Sequence, residues 1–206
     1  MSLEHKRGIV SIDLNQILVF VKNPIESVAQ AFSQAIQAEI WERDVYQREI
    51  EIVGQGFIVF QFREHSWTVI KQVNCLPYGI SLETKDAQNF SCLLNTHTIY
   101  YKVSDTSGYI GYDFYEKGTL RETLYFEEEM SFQFQSQLRQ LEVKDIEDLY
   151  NFTFDFILEQ DIYIPPIHRV VSHQGILRLL GPGLENLEPN DFEWLDYIAT
   201  LKRNSD

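Results

Sequence analysis

Apolar and polar positions change period several times along the chain, and each change marks an element. Ile17 to Val21 form an unbroken apolar run of strand length. Asn23-Pro-Ile-Glu26 then reads as a helix start: Asn can cap, Pro suits the first helical position, and Glu three residues after the cap can close a capping box. Behind it Ile25, Val28, Ala29, Phe32, Ala35 and Ile36 recur at helical spacing, which gives this helix one apolar face. The period then falls towards two through Ile40 to Tyr46, Phe57 to Phe62 and Trp67 to Val73, with Arg63-Glu-His-Ser66 as a hairpin connection. The same order recurs. Ser81 is placed to cap a second helix carrying Ala87, Phe90, Leu93 and Leu94, and strands follow at Thr98 to Val103, Tyr109 to Tyr115 and Thr119 to Phe126. Asp105-Thr-Ser-Gly108 and Glu116-Lys-Gly118 supply the turns between them.

Beyond Glu127-Glu-Glu129 the pattern becomes more helical. Phe132 and Phe134 alternate briefly with Gln, and then Ile146, Leu149, Tyr150, Phe154, Ile157 and Leu158 mark an amphipathic helix that Pro165-Pro166 must end or follow. Ile176 to Leu180 reads as a short strand and Gly181-Pro-Gly183 as a turn. Asn190 and Glu193 read as a capping box opening a last helix that bears Trp194, Leu195, Ile198 and Leu201. No linker or low-complexity tract divides the chain, so the expectation is one α+β domain over residues 1–206, with sub-segments 1–78, 79–129 and 130–206. Its sheet is mainly antiparallel and built from two helix-plus-three-strand segments, and the C-terminal third adds a more helical layer.

Composition strengthens the sheet and narrows the partners. Fourteen Phe and eleven Tyr favour pleated, half-buried surfaces. Seventeen Lys and Arg against 31 Asp and Glu leave a net charge of −14, a field that repels phosphate backbones and anionic headgroups. Nucleic acid and membrane surfaces are therefore not expected as partners, whereas a basic protein is compatible with that charge. Cys75 and Cys92 lie far from Cys-x-x-Cys spacing and read as reduced, buried thiols, and Met1 to Arg7 lack the start of a secretory signal. The expected compartment is the cytoplasm.

The search for chemistry returns turns and caps. Asp105-Thr-Ser-Gly108 differs from the paired Asp-Thr-Gly loop of aspartic proteases, since Ser stands where that loop has Gly and no second copy exists; Asp first and Gly fourth is also what a type I turn prefers. His168 and His173 are five residues apart, a spacing that sends two rings to different helix faces. Gly54-Gln-Gly56 runs into a strand, whereas phosphate loops open into a helix. Neither a metal site nor a cofactor site is read, and no residue is assigned a catalytic role. The residues placed at a partner-binding surface are Asp105 and Tyr109 with the acidic run Glu127, Glu128 and Glu129, which lies close to Glu122 in sequence and can meet Lys or Arg.

Asp105 to Gly118, with Ser66-Trp-Thr-Val-Ile70 before it, resembles a pattern found in uncharacterised bacterial proteins of unknown function. The resemblance covers about the middle third of the chain and implies no activity, cofactor or site residue. Acidity, an aromatic sheet and the failed motif search lead to the expectation of a non-catalytic interaction module, resembling the acidic immunity proteins that neutralise basic toxins. The alternative is an enzyme or small-ligand protein whose site is assembled from residues distant in sequence, with His65 or His97 near Asp105.

Overall fold

A computed structural model of the chain describes residues 6–10, 16–46, 48–52, 54–73, 82–104, 108–127, 131–141, 146–165, 176–178, 187 and 189–201. The apolar run becomes β2 (Gln16–Val21), preceded by the two-residue β1 (Gly8–Ile9). Helix α1 (Ile25–Ala35) follows, then β3 (Ile40–Glu42), β4 (Glu49–Glu51), β5 (Gln55–Phe62) and β6 (Thr68–Gln72). Helix α2 (Thr84–Leu93) leads into a meander of β7 (His97–Ser104), β8 (Tyr109–Glu116), β9 (Thr119–Glu127) and β10 (Ser131–Ser136). The last part comprises α3 (Ile146–Glu159), β11 (Tyr163–Ile164), β12 (Ile176–Arg178), a 3₁₀ turn at Pro189–Asp191 and β13 (Phe192–Thr200).

Nine strands form one antiparallel sheet in the order β10-β9-β8-β7-β2-β6-β5-β13-β3, while β1 pairs with β11 and β12 with β4 outside it. Helices α1 and α2 cover one face. Val28, Phe32, Ala87 and Phe90 pack there on Val19, Phe57, Val59 and Ile70, and Phe32 meets Phe57 edge to face at 4.9 Å. Helix α3 covers the other face, where Leu149, Phe156 and Ile157 join Phe20, Phe60, Tyr112 and Leu195. The inner strands are consequently buried on both sides: every residue of β5 is buried, polar Gln55 and Gln61 included.

Two local expectations fail for one reason, that long-range partners outbid local ones. Asn23 makes no side-chain cap. The free Ile25 N–H at the start of α1 instead donates to Gln61 Oε1 from β5 at 3.0 Å, and the Asn23 carbonyl accepts from Thr68 Oγ1 at 2.7 Å. Residues 192–200 are a strand, not the helix predicted from Trp194, Leu195 and Ile198. Asn190 belongs to the 3₁₀ turn that precedes β13, and β13 lies between β5 and β3. A strand covered on both faces loses its polar alternation, and its residual spacing then imitates a helix.

Smaller differences follow the same logic. The strand expected over Ile40 to Tyr46 shortens to the edge strand β3. Helix α2 is capped by Glu83, which forms a reciprocal box with Asp86, while Ser81 and Cys75 lie outside the described residues. Cys92 does fall on α2 but is exposed, contrary to the buried thiol expected. The β8–β9 turn is a two-residue hairpin with Lys117 and Gly118 both at positive φ, as its Gly requires. Among the described residues no helix is long and apolar enough to cross a membrane.

Candidate functional site

Strand pairing brings together two members of the expected partner-binding set, Tyr109 and Glu127. Ser104 pairs with Tyr109, Tyr109 with Glu127, and Glu127 with Ser131, so all four lie in one row at one end of the sheet. Asp105, Glu128 and Glu129 lie outside the described residues. Tyr109 is half-buried; Lys102 Nζ sits 4.4 Å from its ring centre and the Tyr125 ring is 5.6 Å away. His65 and His97 belong to the opposite end of the sheet, about 20 Å along β7 from Ser104. His97 lies 3.4 Å from Glu116 instead. His168 and His173 are outside the described residues. No cluster of three His, Cys, Asp or Glu suited to a metal ion occurs among the described residues.

Two carboxylates of the meander, Glu122, which the sequence places close to the acidic run, and Asp113, are interior fasteners. Glu122 is fully buried on the α3 face, so it does not extend the acidic run towards solvent. Its oxygens accept from Tyr112 Oη at 2.5 Å, Ser136 Oγ at 2.6 Å, and Arg139 Nε and Nη2 at 2.9 to 3.1 Å. Phe156 of α3 stacks on the Tyr112 ring at 4.1 Å, so the network joins the chain after β10 and α3 to the sheet. Burial, and then the Glu122 charge, push the Tyr112 hydroxyl far above its ordinary pKa.

Asp113 plays the matching part on the helical face. It accepts from Thr84 Oγ1 at the start of α2, from Thr123 Oγ1 at 2.6 Å and from Tyr125 Oη at 2.5 Å. The Tyr125 ring reaches it by crossing Gly111, where a Cβ would stand 2.1 Å from Tyr125 Cδ1. Burial and then the Asp113 charge raise the Tyr125 hydroxyl pKa, and the same two causes lift Tyr100 to about 12. Both carboxylates are thus satisfied by protein donors, which leaves them to structure.

A third group of polar side chains is mostly buried, and two of its members are unsatisfied. One row on the α3 face runs Tyr112, Tyr101, Leu18, Lys71, Ile58, Tyr197 across six strands, and Gln16 stands two residues from Leu18 on the same face. Tyr101 is 0% exposed, Gln16 2% and Lys71 9%. The Tyr101 hydroxyl and both amide atoms of Gln16 are buried without a hydrogen-bond partner, and Lys71, mostly buried beside them, has no ion pair among the described residues. Each such neutral group costs about 1 to 3 kcal/mol, and a charged one more. Burial alone lowers the Lys71 pKa from 10.5 to about 8. Little in the local pattern marks these residues: Lys71 falls within the alternating stretch Trp67 to Val73, and Gln16 directly precedes the apolar run Ile17 to Val21.

Compared with protein-family models, curated proteins and solved structures, the chain matches none of them.

Two stability measurements check this geometry. Glu122→Ala leaves the Arg139 guanidinium partly buried without its carboxylate, so urea denaturation should show a loss of about 3 to 5 kcal/mol. The double change E122L/R139M should cost less than the single one; equal or greater cost would contradict a buried ion pair. For Lys71 the folded-state pKa lies below the unfolded one. The cost of a buried ammonium is therefore present below about pH 8 and relieved as pH rises towards 10.5. Lys71→Met should be more stable than the parent at pH 7, with up to about 3 kcal/mol of the gap due to that charge. The gap should narrow across this window, and a pH-independent gap would contradict the assignment.

Proposed function

We propose that the chain is a non-catalytic acidic interaction protein that binds a basic protein partner, as immunity proteins do. The observation that carries this reading is how the positive charges are used. Lys6 pairs with Asp191 at 2.8 Å, Arg48 with Glu42 at 2.6 Å, Arg121 with Glu116 at 3.1 Å and Arg139 with Glu122 at 2.9 Å. Lys22 and Lys102 lie over the rings of Trp67 and Tyr109. With these cations engaged by partners within the chain and a net charge of −14, the net field is acidic and favours approach of a cationic surface. The row holding Tyr109 and Glu127, together with Asp105, Glu128 and Glu129, is the surface proposed to meet it. Lys102 on Tyr109 is then the contact that a partner's Lys or Arg would displace.

A second reading, a small-ligand site assembled from residues distant in sequence, draws on Gln16, Lys71 and Tyr101.

Affinity capture with the full chain, followed by association kinetics at two salt concentrations, tests the first reading. The captured partner should be basic. Its association rate should fall steeply, by about tenfold or more, between low and high salt, and the triple change of Glu127, Glu128 and Glu129 to Lys should slow it similarly at low salt. A partner whose rate ignores both salt and the triple change would overturn the proposed surface.

A further inference from the structure

We propose that Gln16, Lys71 and Tyr101 form an interior binding site for a small hydroxylated monocarboxylate. The inference rests on the small-ligand reading and is independent of the basic-partner reading. These side chains surround Leu18: Tyr101 pairs with it from β7, Lys71 pairs with it from β6, and Gln16 is its same-face neighbour along β2. Adjacent strands lie about 4.8 Å apart and diagonal neighbours about 7 to 8 Å, so long side chains on this face can converge on one small molecule. All three are at least nine-tenths buried, and Lys71 keeps 9% of its surface, so the site is not sealed.

The donor inventory selects the ligand. An ammonium brings positive charge and donors only, the Tyr101 hydroxyl donates or accepts, and the Gln16 amide offers both donors and an acceptor. Water can satisfy the tyrosine and the glutamine, but it leaves the lysine charge without a counter-ion. One cation balances one negative charge; a phosphate dianion would bring an uncompensated charge into the interior and meet the repulsion of a chain at −14. A carboxylate's two oxygens suit Lys71 Nζ with Tyr101 Oη or Gln16 Nε2. Gln16 Oε1 then remains an acceptor, which a hydroxyl on the ligand satisfies. Leu18 and Val103 supply apolar surface for its carbon atoms.

Calorimetric titration of the full chain with sodium glycolate, sodium acetate and inorganic phosphate, at fixed ionic strength, tests the site. Glycolate should bind at one per chain, with acetate weaker by about tenfold because the Gln16 acceptor is left unmatched. Lys71→Met should weaken glycolate more than tenfold, and Gln16→Met should abolish the preference over acetate. Tyr101→Phe removes only a hydroxyl and keeps the test valid if Lys71→Met fails to fold; it should weaken glycolate by about tenfold. Absence of binding by all three anions, phosphate binding tighter than glycolate, or glycolate binding unchanged in the folded variants would each overturn the proposal. None of these results alters the salt-dependent association expected of the acidic surface.

Discussion

Covering both faces of the central sheet is the constraint from which the rest of the structure follows. With α1 and α2 on one side and α3 on the other, the inner strands of the sheet have little access to water. Any polar side chain in them must find a partner within the protein or carry a desolvation cost. Gln61 meets this demand by closing the start of α1, Thr68 by bonding the Asn23 carbonyl, and Asp113 and Glu122 by collecting hydroxyls and a guanidinium. Polar residues of the sheet thereby become the fasteners of the layers above and below it. Gln16 and Tyr101 stand out because they occupy the same environment without that compensation, and Lys71 is mostly buried beside them.

The same constraint explains what could be read from the sequence. Helices with one apolar face, such as α1 and α2, keep the 3.6-residue signature, and the turns at 63–66 and 116–118 carry residues suited to their backbone. Antiparallel α+β architecture was therefore legible, as was the meander after α2. β13 was not. Lying between β5 and β3 and buried along most of its length, it shows no alternation, and Trp194, Leu195 and Ile198 fall by coincidence at helical spacing. Only its wealth of Phe, Trp, Tyr, Ile and Thr pointed to a strand.

The site was less legible than the fold because its residues acquire meaning through register. Tyr109 and Glu127 become neighbours only when β8 pairs with β9, and nothing local places Glu122 indoors and Glu127 in the row at the sheet end. Similarly, Gln16, Lys71 and Tyr101 are separated by up to 85 residues and meet only through β2 pairing with both β6 and β7. Local spacing cannot reveal an unsatisfied group, since satisfaction depends on every element packed around it. An acidic exterior and a cationic interior point are consequently compatible features of one sheet, one set by composition and the other by pairing.

Amide hydrogen exchange over residues 192–200 tests the central claim most directly, because β13 joins β3 to the sheet and is the element whose assignment differs most from its sequence pattern. The amides of β13 that bond to β5 should exchange at rates close to those of β5 itself, near the limit set by global unfolding. Exchange of this segment as fast as a fraying terminal helix, with β5 still protected, would contradict a sheet closed by β13 and buried on both faces.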